Sequence, residues 1–397
     1  MKGRLQGNAR RRQVKSGSRI RIVALLLAMA VSITVASPAE AAPRSGTMAS
    51  IPVTLPAKTV EPCGTFSITA HDSLTGEVGV AVQSCVFGVG PRVAWVKGGV
   101  GAVATQAQSN ESFGPTGLRL METGLSAQET LDWLLAHDPG RDNRQVGIVD
   151  AQGGVANWTG SSCLAWAGDS AGITFTCQGN ILASEEVVAG MVGAYEEATG
   201  QELAHRLIAA LEAAQAAGGD KRGQQSAAIL IGRAHPDYPE YAFRYMDIRV
   251  EDHSEPIAEL RRLYKLYEAQ GLAQAHMRFA KWKESQGDSL GARRERQRVG
   301  EVLVRALRDE VRDAGMLNAL AWFTAIHDIY LTQALEAAQR AVELEPENSN
   351  ILDTLAEVYF RMGEAEKAIA VETRALELAP DDGYLKGQLE RFVEEAR

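Results

Sequence analysis

Apolar and polar side chains alternate through TFSITA (Thr65–Ala70) and again through EVGVAVQS (Glu77–Ser84). That two-residue period is the signature of strands, and SLTG (Ser73–Gly76) between them reads as a hairpin turn. RVAWV (Arg92–Val96) and GVGAVATQA (Gly99–Ala107) continue as shorter strands. SAQETLDWLLAHDPG (Ser126–Gly140) changes to a helical period. Ser126 caps that helix, Glu129 completes a capping box, and Pro139-Gly140 stops it. RQVGIVDAQGGVANWTG (Arg144–Gly160) is a hairpin turned at AQGG, and ITFTCQGNIL (Ile173–Leu182) is a further strand. Two helices follow, one from a Ser184 cap to Gly200 and one from Gln201 to Gly218-Gly219. SAAILIG (Ser226–Gly232) and YAFRYMDIRV (Tyr241–Val250) close the region as strands. Strand runs and helix runs that segregate in this way predict an α+β fold, with two stacked sheets and helices outside them.

After Pro256 the two-residue alternation stops and nearly every segment reads as helix. ALEAAQRAVELEPEN (Ala334–Asn348) matches AIAVETRALELAPDD (Ala368–Asp382), one copy 34 residues after the other. Each copy follows a helix carrying Leu-Ala, at Leu320-Ala321 and Leu355-Ala356. Residues 315–397 thereby resemble tetratricopeptide repeats, helical hairpins of that period. Two copies fall short of the three or so that a stable stack needs, so residues 257–314 are expected to supply a helical connector that packs on them. RRERQR (Arg293–Arg298) within it reads as a solvated helix face.

A charged fraction of 23% and a hydrophobic fraction of 45% place the chain among globular proteins. The net charge of −9 argues against nucleic acid as a partner. The basic residues near the start belong to another feature. Arg10, Arg11, Arg12, Lys15, Arg19 and Arg21 precede the apolar run Ile22–Ala36, and AEAA offers a cleavage site after Ala41. Residues 1–41 read as an export signal, with an uncleaved membrane anchor as the alternative. Secretion or a periplasmic location is expected, with no membrane contact after cleavage. Residues 42–62, rich in Pro, Ala, Ser and Thr, read as a linker. In an oxidising compartment the four cysteines suggest disulfides. If SLTG and GDSAG (Gly168–Gly172) both turn hairpins, Cys63 opposes Cys85 and Cys163 opposes Cys177; four free thiols are the alternative.

No nucleophile elbow, phosphate loop, dinucleotide motif or metal-ligand spacing occurs, and no cofactor is expected. Two polar stretches stand out. In GGDKRGQQSA (Gly218–Ala227), Asp220, Lys221, Arg222 and Ser226 connect a helix to an apolar strand, as loops that carry sites do. The same residues also suit a solvated helix stop. In CQGNIL, Asn180 offers an amide donor to an oxyanion, or is simply a turn residue.

TFSITAHDSLTGEVGVAVQS, GVGAVATQAQSN, FGPTGLRLMETGLSAQETLDWLLAHDPGRDNRQVGIVD, WTGSSCLAWAG, QGNIL, GGDKRGQQSAA and DIRVEDH occur in this order. Together they resemble the DUF1028 family, over residues 63–256. The resemblance implies an N-terminal-nucleophile hydrolase-like domain of four layers, αββα, and no established reaction. It also implies that Thr65 matches the threonine opening the first strand. In that mechanism the threonine's own α-amine is the base and its hydroxyl the nucleophile. Here Thr65 becomes N-terminal only after a second cut, at Gly64–Thr65. Lys97 is the expected cation lowering the nucleophile's pKa, or else a surface lysine. Ser67, Gln106, Asn110, Asn180, Asp220, Lys221, Arg222 and Ser226 are expected to line the cleft.

Two functional readings stay open. One is an amide-bond hydrolase acting on a small amide outside the cytoplasm. The other is a catalytically silent binding module outside the cytoplasm, with cell-wall material as one candidate ligand, whose helical repeats recruit a protein or peptide partner. Pairing into a homodimer fits either.

Overall fold

The structure, a computed structural model, describes residues 64–308 and 313–396. The segments expected to be an export signal and a linker, and Cys63, lie outside the described residues.

The strands are β1 (Thr65–Asp72), β2 (Glu77–Ser84), β3 (Ala94–Lys97), β4 (Gly101–Ala107), β5 (Arg144–Asp150), β6 (Val155–Thr159), β7 (Gly168–Ala171), β8 (Phe175–Asn180), β9 (Ser226–Gly232) and β10 (Met246–Val250). They form two antiparallel sheets, one in the order β10-β9-β2-β1-β8-β7 and the other β3-β4-β5-β6. The SLTG turn closes β1 onto β2 with Asp72 opposite Glu77, and that register carries Thr65 opposite Ser84.

The alternation in β1 and β2 has a consequence that periodicity alone does not show: both faces are buried. Phe66, Ile68 and Ala70 point outward, into a core shared with helices α4 (Glu186–Glu197) and α5 (Leu203–Ala216). The opposite face meets the second sheet. There Val78, Val80 and Val82 of β2 pack on Val96, Ala102 and Ala104 of that sheet. Ser67 of β1 instead enters a polar layer, where its hydroxyl bonds to Gln106. The outer face of the second sheet carries Val103, Val146 and Ile148. They pack on α2 (Phe113–Glu122) and α3 (Ala127–Ala136), the latter started by the expected Ser126–Glu129 capping box. The layers run helix, sheet, sheet, helix; one further helical turn, α1 (Gly90–Val93), precedes β3.

The composition change at Pro256 is not a break in packing. Helix α6 (Pro256–Tyr267) buries Ile257, Leu260 and Tyr264 in the same core as Phe66 and Leu207. Helices α7 (Ala273–Ser285) and α8 (Ser289–Arg308) pair, and α8 packs on α9 (Ala314–Ala325) and α10 (Leu331–Leu344). This pair supplies the packing surface the repeats need. Helices α11 (Ser349–Arg361), α12 (Ala365–Leu378) and α13 (Gly383–Glu395) complete the stack. Asn348 and Asp382, equivalent positions of the two repeats, each cap the next helix with a side-chain oxygen. Buried Ala341 and Ala375, also equivalent, let neighbouring helices approach closely.

Three expectations change. Glu185, not Ser184, is the N-cap of α4. RRERQR is not wholly a solvated face, because Glu295 within it is buried against Arg233. Cys163 and Cys177 are not bonded. GDSA forms β7 rather than a turn, so the residue opposite Cys177 is Ser170. Cys177 is buried on the face packed against the helices, where burial pushes its thiol pKa up. Cys163 lies in the connection before β7, with its Sγ 3.4 Å from the Arg144 carbonyl.

Candidate active site

Three strand ends and one loop converge on Thr65. Antiparallel pairing places Ser84 beside it on β2 and Asn180 beside it on β8. From the facing sheet, Gln106 on β4 donates to the Thr65 carbonyl at 3.2 Å. The loop is GGDKRG, whose Asp220 carboxylate is clamped by the Arg222 guanidinium through bonds of 3.1 and 2.7 Å. Asp220 also accepts from the backbone of Arg222 and, at 3.3 Å, from that of Cys85.

The peptide link before Thr65 is held from two sides. The Gly64 carbonyl accepts from Ser84 Oγ at 2.5 Å and from Arg222 Nη2 at 2.9 Å. Ser84 Oγ is also 3.0 Å from Thr65 Oγ1. A hydroxyl has one proton to give. Ser84 gives its own to Gly64, so it accepts the proton of Thr65. Residue 64 must be glycine, because a Cβ there would lie 2.6 Å from both Asp220 carboxylate oxygens.

Behind this array lies a polar layer between the sheets. Gln106 donates to Gln145 Oε1 at 2.8 Å, and Asn180 donates to the same oxygen at 3.0 Å. Gln145 in turn donates to Thr159 at 2.9 Å and to the Gly179 carbonyl at 2.8 Å. Gln178 donates to Ser67 at 2.6 Å, and Ser67 donates to Gln106 at 2.6 Å. A fully paired neutral network of this kind fixes side chains in one arrangement. Two non-glycine residues with left-handed backbone flank it at the strand ends, Ala107 (φ 69°) and Ile181 (φ 54°). Such conformations cost energy and cluster at functional sites. The space over Thr65 is small. A pocket of about 20 Å³ lined by Thr65, Val86, Val89 and Gln106 opens there, and one of about 30 Å³ lies beside Asn180 and Cys163.

The expected site residues separate into three groups. Thr65, Ser67, Gln106, Asn180, Asp220 and Arg222 are brought together. Ser226 acts at one remove: it donates to the Val86 carbonyl and accepts from Val89, fixing the loop that lines the pocket. Lys97, Asn110 and Lys221 do not reach Thr65. Lys97 pairs with Gly101, at the far end of β4 from Gln106. Five strand residues separate those ends, about 17 Å at the usual rise. Lys97 bonds there to Glu122 and Glu240. Burial opposes its charge, yet the two carboxylates together raise its pKa. Asn110 donates to Asp138 at 3.2 Å and accepts from Ser112 at the entry to α2. Asp138 is pushed down to about 2, chiefly by its bond to Arg144. Lys221 is exposed, its backbone bonded to the Ile181 carbonyl.

Ser84, Gln145 and Gln178 were not singled out from the sequence. Ser84 was within reach, since a four-residue turn at 73–76 pairs positions 65 and 84 by counting. Gln145 follows Arg144 at the head of RQVGIVD and Gln178 lies among the polar residues of FTCQGN, so neither leaves a distinct signal in the sequence.

Residues 65–260 match DUF1028, a family of unknown function, and residues 331–389 match a tetratricopeptide repeat. A DUF1028 protein from Silicibacter pomeroyi, known from a crystal structure, is 32% identical; the match covers 51% of this chain and 86% of that one, with a TM-score of 0.46. The Sgt2 tetratricopeptide domain from Aspergillus fumigatus is 19% identical over 29% of this chain and 78% of its own, with a TM-score of 0.23. An O-GlcNAc transferase mutant from Thermobaculum terrenum is 23% identical over 31% of this chain and 22% of its own, with a TM-score of 0.21. No curated protein matches the chain.

Proposed function

We propose, for a chain that belongs to the DUF1028 family of unknown function, that it is exported and cuts itself at Gly64–Thr65, becoming an amide-bond hydrolase with Thr65 as its N-terminal nucleophile. The observation that supports this is the doubly held Gly64 carbonyl with Thr65 Oγ1 bonded to one of its two holders. Ser84 and Arg222 sit where an oxyanion hole would be, and donors placed before reaction need no reorganisation during it.

In the first step Thr65 Oγ1 attacks the Gly64 carbonyl carbon and closes a five-membered ring. Ser84 takes the hydroxyl proton and passes its own to the carbonyl oxygen, while Arg222 stabilises the charge there. The ring opens by breaking the C–N bond, and the oxygen-bound proton goes to the departing nitrogen. An ester now joins Gly64 to Thr65 Oγ1. Water hydrolyses it, leaving a carboxylate on Gly64 and a free amine and hydroxyl on Thr65. An α-amine titrates at about 8, so at neutral pH it can accept the hydroxyl proton when an amide substrate arrives. Departure of the cut segment must also enlarge the pocket, because about 20 Å³ admits little more than one water.

That small volume favours a second reading, in which the uncut domain is a silent scaffold. The tetratricopeptide repeats then carry the function, by binding a protein or peptide partner. One experiment separates the two. Intact mass and N-terminal sequencing of the exported full chain, with and without reductant, should give a species beginning at Thr65. Reductant is included because a Cys63–Cys85 bond would tether the released segment. Thr65→Ala should remain uncut and Ser84→Ala should cut slowly. An active protein whose N-terminus lies upstream of Thr65 overturns the first reading.

A further inference from the structure

A second cavity lies far from Thr65 in sequence and uses none of its partners. It measures about 460 Å³ and is formed by the β9–β10 connection together with helices α7 and α9. This is the size range of small-ligand sites. Its walls come from both parts of the chain, so neither part alone makes it.

The floor carries two buried N–H groups without a well-formed hydrogen bond. His235 is 6% exposed. Its Nδ1 accepts from the Asp237 amide at 3.3 Å, which leaves the proton on Nε2. Nε2 is buried and has no hydrogen bond. Burial lowers the ring's pKa, a hydrogen bond to the Arg278 backbone and the Asp237 charge opposing, which favours the neutral ring. Trp282 Nε1 is likewise buried without a hydrogen bond, and an indole N–H can only donate. The two ring centroids lie 5.3 Å apart. Buried donors are nearly always paired, and an unpaired one calls for a partner that the chain does not provide.

The surroundings specify that partner further. Arg278 and Lys281 line the cavity from one face of α7, against a single acid, Asp237. Arg278 lies over the Tyr238 ring at 5.3 Å, and Phe323 of α9 adds a second aromatic wall. Two N–H groups without a well-formed bond, two cations against one acid and aromatic walls together describe an anionic acceptor on an apolar body. We propose that this cavity binds a carboxylate carried on an aromatic or aliphatic group, with His235 Nε2 and Trp282 Nε1 donating to its oxygens and Arg278 and Lys281 supplying the charge.

The position of the loop is itself anchored. Glu240, in the same connection as His235 and Tyr238, is bonded to Lys97. The residue expected at the first site is therefore a strut for the second.

The test is calorimetric titration of the full chain with N-acetyl-phenylalanine, with N-acetyl-phenylalaninamide, and with a blocked peptide ending in a free phenylalanine carboxylate. The acid should bind at least ~10-fold more tightly than the amide. Trp282→Phe and His235→Phe keep a ring and remove an N–H; each should weaken the acid ~10-fold, as should Arg278→Met, with thermal midpoints close to wild type. If the peptide binds best with the same sensitivity to these variants, the ligand is a chain end. If only the free acid binds, it is a small molecule. Equal binding of acid and amide overturns the proposal. So does no binding of either carboxylate at about 10 mM, or unchanged affinity in all three variants.

Discussion

The polar layer between the two sheets and the polar layer under helices α7 and α8 are both buried, yet they are built from opposite materials. Around Thr65 the members are amides and hydroxyls: Ser67, Ser84, Gln106, Gln145, Gln178 and Asn180, each at most 1% exposed. Where the helices meet the sheets the members are ions. Arg233 holds Glu295 at 2.7 Å and faces Glu77 at 3.8 Å. His276 contacts Glu295 at 2.9 Å and Glu202 at 3.4 Å, and Arg298 reaches Glu202 at 3.5 Å. The neutral layer, made of amides and hydroxyls that do not ionise near neutral pH, is indifferent to proton concentration there. The ionic layer is not. It ties the helical region to the first domain only while its charges match.

The largest effect is expected from breaking the ionic layer at its centre. His276→Phe removes the cation between two carboxylates and leaves both in the interior. Losing one partner of a buried pair costs about 3–5 kcal/mol, so chemical denaturation should show a loss of that order. The self-cutting at Gly64–Thr65 should survive wherever the chain still folds. If stability hardly changes, His276 is not a charged keystone.

Next comes the neutral layer. Gln145→Leu takes away the acceptor shared by the Gln106 and Asn180 amides and the donor to Thr159 and the Gly179 carbonyl, while Gln106 keeps the Thr65 carbonyl and Thr159 keeps Asp169. Each buried orphan costs about 1–3 kcal/mol, with partial relaxation, so a total near 2–4 kcal/mol is expected. Unlike His276→Phe, this change should also suppress cutting, since Gln106 is what holds the Thr65 carbonyl. A folded Gln145→Leu protein that cuts at the wild-type rate would detach the network from the site.

The contrast sharpens with pH. Burial, reinforced by Glu202, pushes Glu77 up to about 7. A raised acid is a cost of folding that grows as pH rises from about 4.5 and is complete above 7. Burial opposes the charge of His276, but Glu202 and Glu295 raise it to about 9. That contribution is complete below about 6.5 and is lost as pH rises through 9. Both signs agree: thermal stability should fall between pH 5 and pH 9. Glu77→Gln should flatten the lower half of this fall, gaining about 1–3 kcal/mol at pH 8 and little at pH 5. A loss at both pH values would mean that Arg233 needs the carboxylate.

The sequence was more legible for elements than for the faces and ends of elements. Alternation located β1 and β2, and the 34-residue period located the repeats, because these signals depend on local geometry alone. Alternation cannot say whether a polar face meets water or another sheet, and so the role of Gln145 and Gln178 stayed hidden. GDSAG contains the residues of a turn, but backbone pairing with Phe175–Asn180 made it a strand, and the Cys163–Cys177 bond expected from that turn fell with it. Thr65, Asp220 and Arg222 were found together because strand heads and the loop between a helix and its next strand gather at one edge of a sheet.

Lys97 shows the limit of such reasoning and offers the smallest, most discriminating change. It sits at a strand end, as a site residue should, but at the end of β3 that meets Gly101 rather than beside the Gln106 end of β4, and nothing local distinguishes the two. Its side chain is 22% exposed and bridges Glu122 and Glu240. A partly exposed bridge is worth at most about 1 kcal/mol. Lys97→Met should therefore lower the thermal midpoint slightly and leave the rate of cutting at Gly64–Thr65 unchanged. Because Glu240 would lose its anchor, binding of the phenylalanine carboxylate beside His235 should weaken instead. A tenfold fall in cutting with intact ligand binding would return Lys97 to Thr65, and would reverse the assignment of the two ends of the strand.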